Sequence, residues 1–313
     1  MTTPASSRPV GTGGRAASDA VLVTGIGELV TCAGADGTIA VDAAASVAQR
    51  LGLLRDAAVV AVDGVVEWVG RAVDAPAADR RLDLGGRAVV PGFVDSHSHL
   101  VYAGDRAGEF SARMAGTPYD GGGIGVSVSA TRAASDDELR ALLQARIAEM
   151  RALGTTTVEI KSGYGLSVAD EERSLRLAAE FTDEVTFLGA HVVPPEARAD
   201  RAAYVDLVCG PMLQACAPHA RWIDVFCEPA SPHAFTEAEA RRVLVAGRDA
   251  GLEGRVHGNQ LAAGPGVQLA VEVEAAGVDH CTFLGSADVD ALVGAPGTTV
   301  ATRRPAEVTA RQL

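Results

Sequence analysis

The sequence predicts an α/β chain: an incomplete (β/α)8-type barrel with six to seven of its strands present, preceded by a small N-terminal β-region. Three observations lead there. Before Pro91, apolar runs are joined by turn residues. After it, short apolar runs alternate with longer amphipathic segments that open on N-capping pairs. Five histidines (His97, His99, His191, His257 and His280) fall at the ends of those later runs.

Composition sets the outer bounds. The 313 residues, 48% of them hydrophobic, can bury a large core. A net charge of -13, from 27 basic and 40 acidic residues, argues against a nucleic-acid or acidic-membrane partner. A small anionic molecule stays admissible if an arginine is placed locally; Lys161 is the only lysine. The five cysteines are widely spaced and form no C-x-x-C pair, so neither a disulfide framework nor a thiolate zinc site is signalled, and a cytoplasmic setting is expected. Residues 1–17, "MTTPASSRPVGTGGRAA", are small and polar without the apolar centre of a signal peptide, and read as a disordered tail. No run reaches the roughly 18 apolar residues that would span a bilayer.

The β-region is expected over 18–90. "AVLVTGIGELVT" and "RLDLGGRAVV" read as strands, and in "AAVVAVDGVVEWVG" Asp63-Gly64 reads as a hairpin turn between two apolar runs. The barrel is expected over 91–313, with strands at 93–97, 156–161, 185–192, 222–228, 255–259 and 278–281 and a weaker seventh at 298–301; no eighth is found. Helices fit between them. Ser135 with Glu138 and Thr236 with Glu239 make capping boxes, and a further helix begins near Ser286.

"VVPGFVDSHSHL" (89–100) ends a buried-strand pattern on His97 and His99. Residues i and i+2 of a strand share a face, so the two imidazoles can serve one ion. Neutral imidazole suits zinc or ferrous iron. Chemistry in a parallel barrel gathers at the C-terminal strand ends, where the other histidines also lie.

This segment resembles the first barrel strand of the amidohydrolase superfamily. "HSHLVYAGDRAGEF", "TTTVEIKSGYGL", "TFLGAHVVPPE", "AYVDLVC", "VHGNQL" and "VDHC" resemble its imidazolonepropionase family, from about residue 20 to about 297. The resemblance implies a TIM barrel, an accessory β-sandwich domain formed by the β-region over 18–90, and metal-assisted hydrolysis of the cyclic amide of 4-imidazolone-5-propanoate to N-formimidoyl-L-glutamate in histidine degradation. It makes His97, His99 and His257 ligands of one divalent metal, zinc or iron. His280 then polarises the carbonyl or steadies the oxyanion. Arg106 pairs with the substrate carboxylate, and Tyr119, Tyr164 and His191 contact the substrate. Gln260 stands where some members carry glutamate; it can orient water but cannot take its proton, which leaves base work to a metal-bound carboxylate or His280. "WIDVFCE" ends without the lysine that bridges two metals in binuclear members, so a mononuclear site is expected. Lys161 reads equally as a charge satisfied near the barrel mouth or as a substrate contact.

The superfamily also closes its site with an aspartate on strand eight. Here "GTTVAT" runs into "RRPAEVTARQL", and no aspartate follows Asp290. The expectation is a truncated chain with open sheet edges, of low stability or rescued by self-association as a homodimer. Two further readings stay open: an inactive remnant that keeps fold and metal site, and another cyclic-amide hydrolase or aminohydrolase of the superfamily.

Overall fold

The computed structural model describes residues 19–33, 46–105, 107, 111, 114–116, 124–295 and 297–301. The tail expected over 1–17, together with Arg106 and Tyr119, lies outside the described residues. Two compact units divide between Pro91 and Gly92.

In the first unit, β1 (Ala20–Val30), β2 (Leu53–Val62), β3 (Val65–Arg71) and β4 (Arg80–Val89) form a four-stranded sheet in the order β3-β2-β1-β4. β1 runs antiparallel to β2 and parallel to β4. Asp63 and Gly64 turn β2 into β3 with φ of 50° and 84°, the paired positive values of a type I′ turn, whose twist matches that of the flanking strands. Ile26, Leu29 and Ala57 are the buried centre of this unit.

The second unit is built on seven parallel strands in the order β11-β10-β9-β8-β7-β6-β5. They are β5 (Phe93–Ser98), β6 (Thr155–Lys161), β7 (Val185–Ala190), β8 (Trp222–Cys227), β9 (Glu253–Gly258), β10 (Gly277–His280) and β11 (Thr299–Ala301). Every residue of β7 is buried, as expected of a strand covered on both faces. Leu139, Leu143 and Ile147, four residues apart on the helix Asp136–Ala152, form a buried stripe in the same core as Ile160, Phe187 and Val256. That helix opens on the Ser135/Glu138 capping box, and the helix Glu237–Asp249 on Thr236/Glu239. The helix Ser286–Gly294 starts differently: Gly285 is its N-cap, and the Asp288 carboxylate accepts the Gly285 N–H at 2.9 Å.

The sheet is strongly curled. β5 and β10 are five positions apart in strand order, which in a flat sheet would separate them by roughly 24 Å at ~4.8 Å per strand. Instead, His97 Nδ1 of β5 lies 3.0 Å from Asp279 Oδ2 of β10. The curl brings the C-terminal ends of the strands around one cavity.

Leu143 is fully buried between its helix and the sheet. Leu143→Ala is expected to destabilise this unit by about 2–5 kcal/mol. Urea unfolding checks this, and a loss well under 1 kcal/mol would count against the packing described.

Candidate active site

Positions at or just beyond the ends of four strands supply five imidazoles. His97 rides on β5 with His99 just beyond it, His257 is on β9, His280 ends β10, and His191 follows β7 directly. Ring centroids lie 5.2 Å apart for His97–His99, 4.6 Å for His97–His257, 5.4 Å for His99–His257 and 4.7 Å for His97–His280. His191 stacks on His99 at 4.9 Å. Tyr164, in the turn after β6, places its ring 5.7 Å from His99 and 5.4 Å from His191. His280 reaches the cluster from a left-handed backbone with φ of 73°, a conformation that costs a non-glycine residue energy and is met mostly where the surroundings enforce it.

His97, His99 and His257 each bring one donor atom to within 4.8 Å of the others. The Nε2 atoms of His99 and His257 stand 3.3 Å apart. Two nitrogen ligands at about 2.1 Å from a tetrahedral ion would stand about 3.4 Å apart, so the observed spacing fits a shared cation. His99 Nδ1 is buried with no hydrogen-bond partner among the described residues. Three converging imidazoles of this kind fit a divalent metal, and the group is a candidate metal centre.

Beneath the histidines lies a buried ionic network. Lys161 Nζ is 2.7 Å from Asp224 Oδ2, 2.9 Å from Glu159 Oε1 and 3.0 Å from Asp279 Oδ2, and its side chain is 0% exposed. The same two aspartate oxygens face imidazoles of the candidate metal group: Asp224 Oδ2 is 2.9 Å from His257 Nδ1, and Asp279 Oδ2 is 3.0 Å from His97 Nδ1. Arg255 holds Asp279 Oδ1 at 2.8 Å and the Ser96 carbonyl at 2.9 Å. Thr186 donates to Glu159, whose other oxygen accepts the Ser98 N–H at 3.3 Å. Carboxylates behind the imidazoles fix ring orientation and make the outward nitrogen a better ligand.

Burial sets the protonation states. It pushes His97 down to about 4, with the neighbouring His257 adding to the fall, and His191 to about 3. His99 is driven well below its ordinary value, and His280 falls to about 2. Neutral imidazole is the ligand form. Burial alone would raise Asp224, but His257 and Lys161 outweigh it and hold the carboxyl below its usual range. Asp279 goes the same way under Lys161, His97 and Arg255. For Lys161 the burial penalty is overcome by Asp224, Glu159 and Asp279, which raise it above an ordinary lysine. Burial raises Glu159.

Of the residues singled out from sequence, the structure brings together His97, His99, His257, His280, His191 and Tyr164. Gln260 follows β9, and its backbone N–H is accepted by Glu228 Oε2 at 3.0 Å; no contact joins its side chain to the imidazoles among the described residues. The mouth position considered for Lys161 is corrected: it is sealed among carboxylates in the barrel interior. Glu159, Asp224, Arg255 and Asp279 were not singled out. Their signal was a charged residue inside an otherwise apolar strand, doubled at i and i+2 in "VEIK".

A curled parallel β/α sheet with a cluster of buried histidines at its C-terminal end defines a metal-dependent hydrolase of the amidohydrolase kind. Solved structures agree on the fold. A triazine hydrolase from Arthobacter aurescens superposes with TM-score 0.57 at 14% identity, over 91% of this chain and 65% of that one. A Xaa-Pro dipeptidase superposes with TM-score 0.56 at 15% identity, over 90% and 66%. No family model matches the chain. Among curated proteins, the imidazolonepropionase of Salinispora arenicola is 62% identical over 287 residues, 91% of this chain and 69% of the relative. That of Mycolicibacterium smegmatis is 56% identical, over 91% and 68%. The chain belongs to the imidazolonepropionase family, hydrolases acting on a cyclic-amide C–N bond in histidine degradation. Among the described residues, no helix is long and apolar enough to cross a membrane.

Acid should destabilise the metal-free chain. The folded-state values of His97 and His191 lie below the 6.5 of a free imidazole, so below pH 6.5 the unfolded chain takes up protons that the folded one refuses. Stability is therefore whole above pH 6.5 and is lost as pH falls towards 4 and then 3. The depressed Asp224 and Asp279 extend the loss below about pH 4. Urea midpoints at pH 7.5 and 5 should differ by more than about 2 kcal/mol in unfolding free energy; equal midpoints would contradict the burial of neutral histidines.

Proposed function

We propose that this chain hydrolyses 4-imidazolone-5-propanoate to N-formimidoyl-L-glutamate at the histidine cluster, with one zinc or iron ion held by His97, His99 and His257. The observation that carries the reading is the convergence of these three imidazoles with His280, His191 and Tyr164 in a member of this family. When bound, the ion would acidify a water and polarise the ring carbonyl.

The chain's own residues supply the rest. His280, held neutral beside His97, donates a hydrogen bond to the oxygen that gains negative charge as the ring carbonyl is attacked. His191 must carry its proton on Nδ1, because that atom lies 2.9 Å from the Gly163 carbonyl, which can only accept. Its Nε2 is thereby left as an acceptor for a ring N–H. Tyr164 flanks the same space. Arg106 is assigned the propionate carboxylate, Tyr119 a further substrate contact, and Gln260 the orientation of water. A mononuclear centre is supported by Lys161, whose ammonium already engages the two aspartate oxygens that, with His257, could hold a second ion. Five cysteines, all free, support a cytoplasmic setting.

The test is turnover by the 313-residue chain supplied with zinc or with ferrous iron. Product is expected with at least one of them. His257→Ala should reduce kcat/KM by more than about a hundredfold and weaken metal retention. Arg106→Ala should raise KM by about tenfold or more with kcat much less affected. A folded, metal-loaded chain that gives no product would overturn the reading.

A further inference from the structure

The turn Gly163–Leu166, within "KSGYGL", is held more tightly than its surface neighbours. Glu171, fully buried in the first turn of the helix Val168–Ala178, turns both carboxylate oxygens onto it. Oε1 accepts the N–H groups of Gly165 at 2.8 Å and Leu166 at 2.7 Å, and Oε2 accepts that of Gly163 at 3.1 Å. Arg132, on the helix Ile124–Ala133, takes the carbonyls: Nε donates to Gly165 O at 2.6 Å and Nη2 to Leu166 O at 3.1 Å. Its Nη1 reaches Glu196, beyond β7, at 2.6 Å. One anion therefore gathers the turn's donors, and one cation gathers its acceptors and ties them to the next β/α loop.

A turn needs no such reinforcement merely to reverse the chain. This one sits in a conformation unfavourable for most residues, with φ of 104° at Gly163 and 52° at Leu166. A Cβ on Gly163 would stand 2.9 Å from His191 Nδ1, so the backbone is pressed against that imidazole. The strained shape has two outputs, both directed at the histidine cluster. The Gly163 carbonyl fixes the His191 tautomer, and the Tyr164 ring is set between Tyr102, His99 and His191.

We propose that Glu171 and Arg132 are positioning residues for substrate binding: together they hold the Gly163–Leu166 turn in the one shape that presents the Tyr164 ring and a lone pair on His191 Nε2 to the substrate. This rests on the reading that Tyr164 and His191 contact the substrate. Glu171 touches neither substrate nor metal. Its carboxylate acts through three backbone N–H groups, a role glutamine fills only in part because its amide nitrogen meets a donor with a donor.

The experiment compares Glu171→Gln, Glu171→Ala and Arg132→Gln with Leu143→Ala, a core substitution on the helix Asp136–Ala152 outside the turn. In steady-state turnover, E171Q should raise KM by about tenfold with kcat within about threefold. E171A should be worse, and L143A should keep the original KM. In a Tyr164→Ala background, E171Q should raise KM by less than about twofold more, because the contact it positions is already gone. Independent of activity, ¹⁵N NMR of the imidazoles should show His191 as a single Nδ1–H tautomer in the parent chain and a tautomer mixture in E171Q. Should E171Q fail to fold, R132Q carries the same comparisons from the partly exposed end of the clamp. An unchanged KM, KM effects of E171Q and Y164A that multiply independently, or an unaltered His191 tautomer would overturn the proposal. Absence of turnover in the parent chain would instead sink the functional reading, leaving the tautomer measurement to decide the clamp.

Discussion

An ammonium sealed from water at the centre of a curled sheet must be matched by carboxylates or it costs several kcal/mol. Lys161 meets that constraint with Asp224, Glu159 and Asp279, drawn from β8, β6 and β10. Much else follows from the match. Oδ2 of each aspartate is shared between the ammonium and an imidazole, so the groups that neutralise Lys161 also set the rings of His257 and His97. The contact between β5 and β10 that marks the curl runs through the same atoms. Arg255 adds a second cation on Asp279 and reaches the backbone of β5. A network of this kind is a weak source of net stability, but a displaced strand would leave a buried charge without its partner.

The chemistry builds on this arrangement from above. Burial keeps His97, His99, His191 and His280 neutral and able to ligate or accept. Below them the network carries one more carboxylate than cation, a setting that favours a positive ion over the histidines. The substrate side is organised separately, by loops. Glu171 and Arg132 shape the turn after β6, and Glu228 gathers the N–H groups of Gln260 and Leu261 after β9. A rigid ionic floor and hydrogen-bonded loops thus divide the work of holding a metal and holding a substrate.

Much of this was readable in the sequence, and the reasons are specific. Short apolar runs between helical segments marked all seven strands, with β7 read two residues too long because Val192 continues its apolar pattern past His191. Ser135/Glu138 and Thr236/Glu239 announced their helices because a capping box is a local interaction. The histidine pair was legible through strand periodicity. The ionic floor was not: Asp224 in "WIDVFCE" and Asp279 in "VDHC" look like isolated charges, and only the curl, a long-range property, shows that they face one lysine. Glu171 was illegible for a similar reason. An acidic residue in a first helical turn is ordinary, and nothing local reveals that its oxygens fold back onto "GYGL".

The most direct test of the central claim is the zinc affinity of Asp279→Asn, measured by competition with a chromophoric chelator after circular dichroism has shown the fold intact. Asparagine keeps the side-chain shape but removes the charge that Lys161 and His97 share. If the network orients the ligand imidazoles, affinity falls by about ten- to a hundredfold. An affinity within about twofold of the original would contradict the account, and would mean that the ionic floor and the metal centre are independent structures that happen to lie in contact.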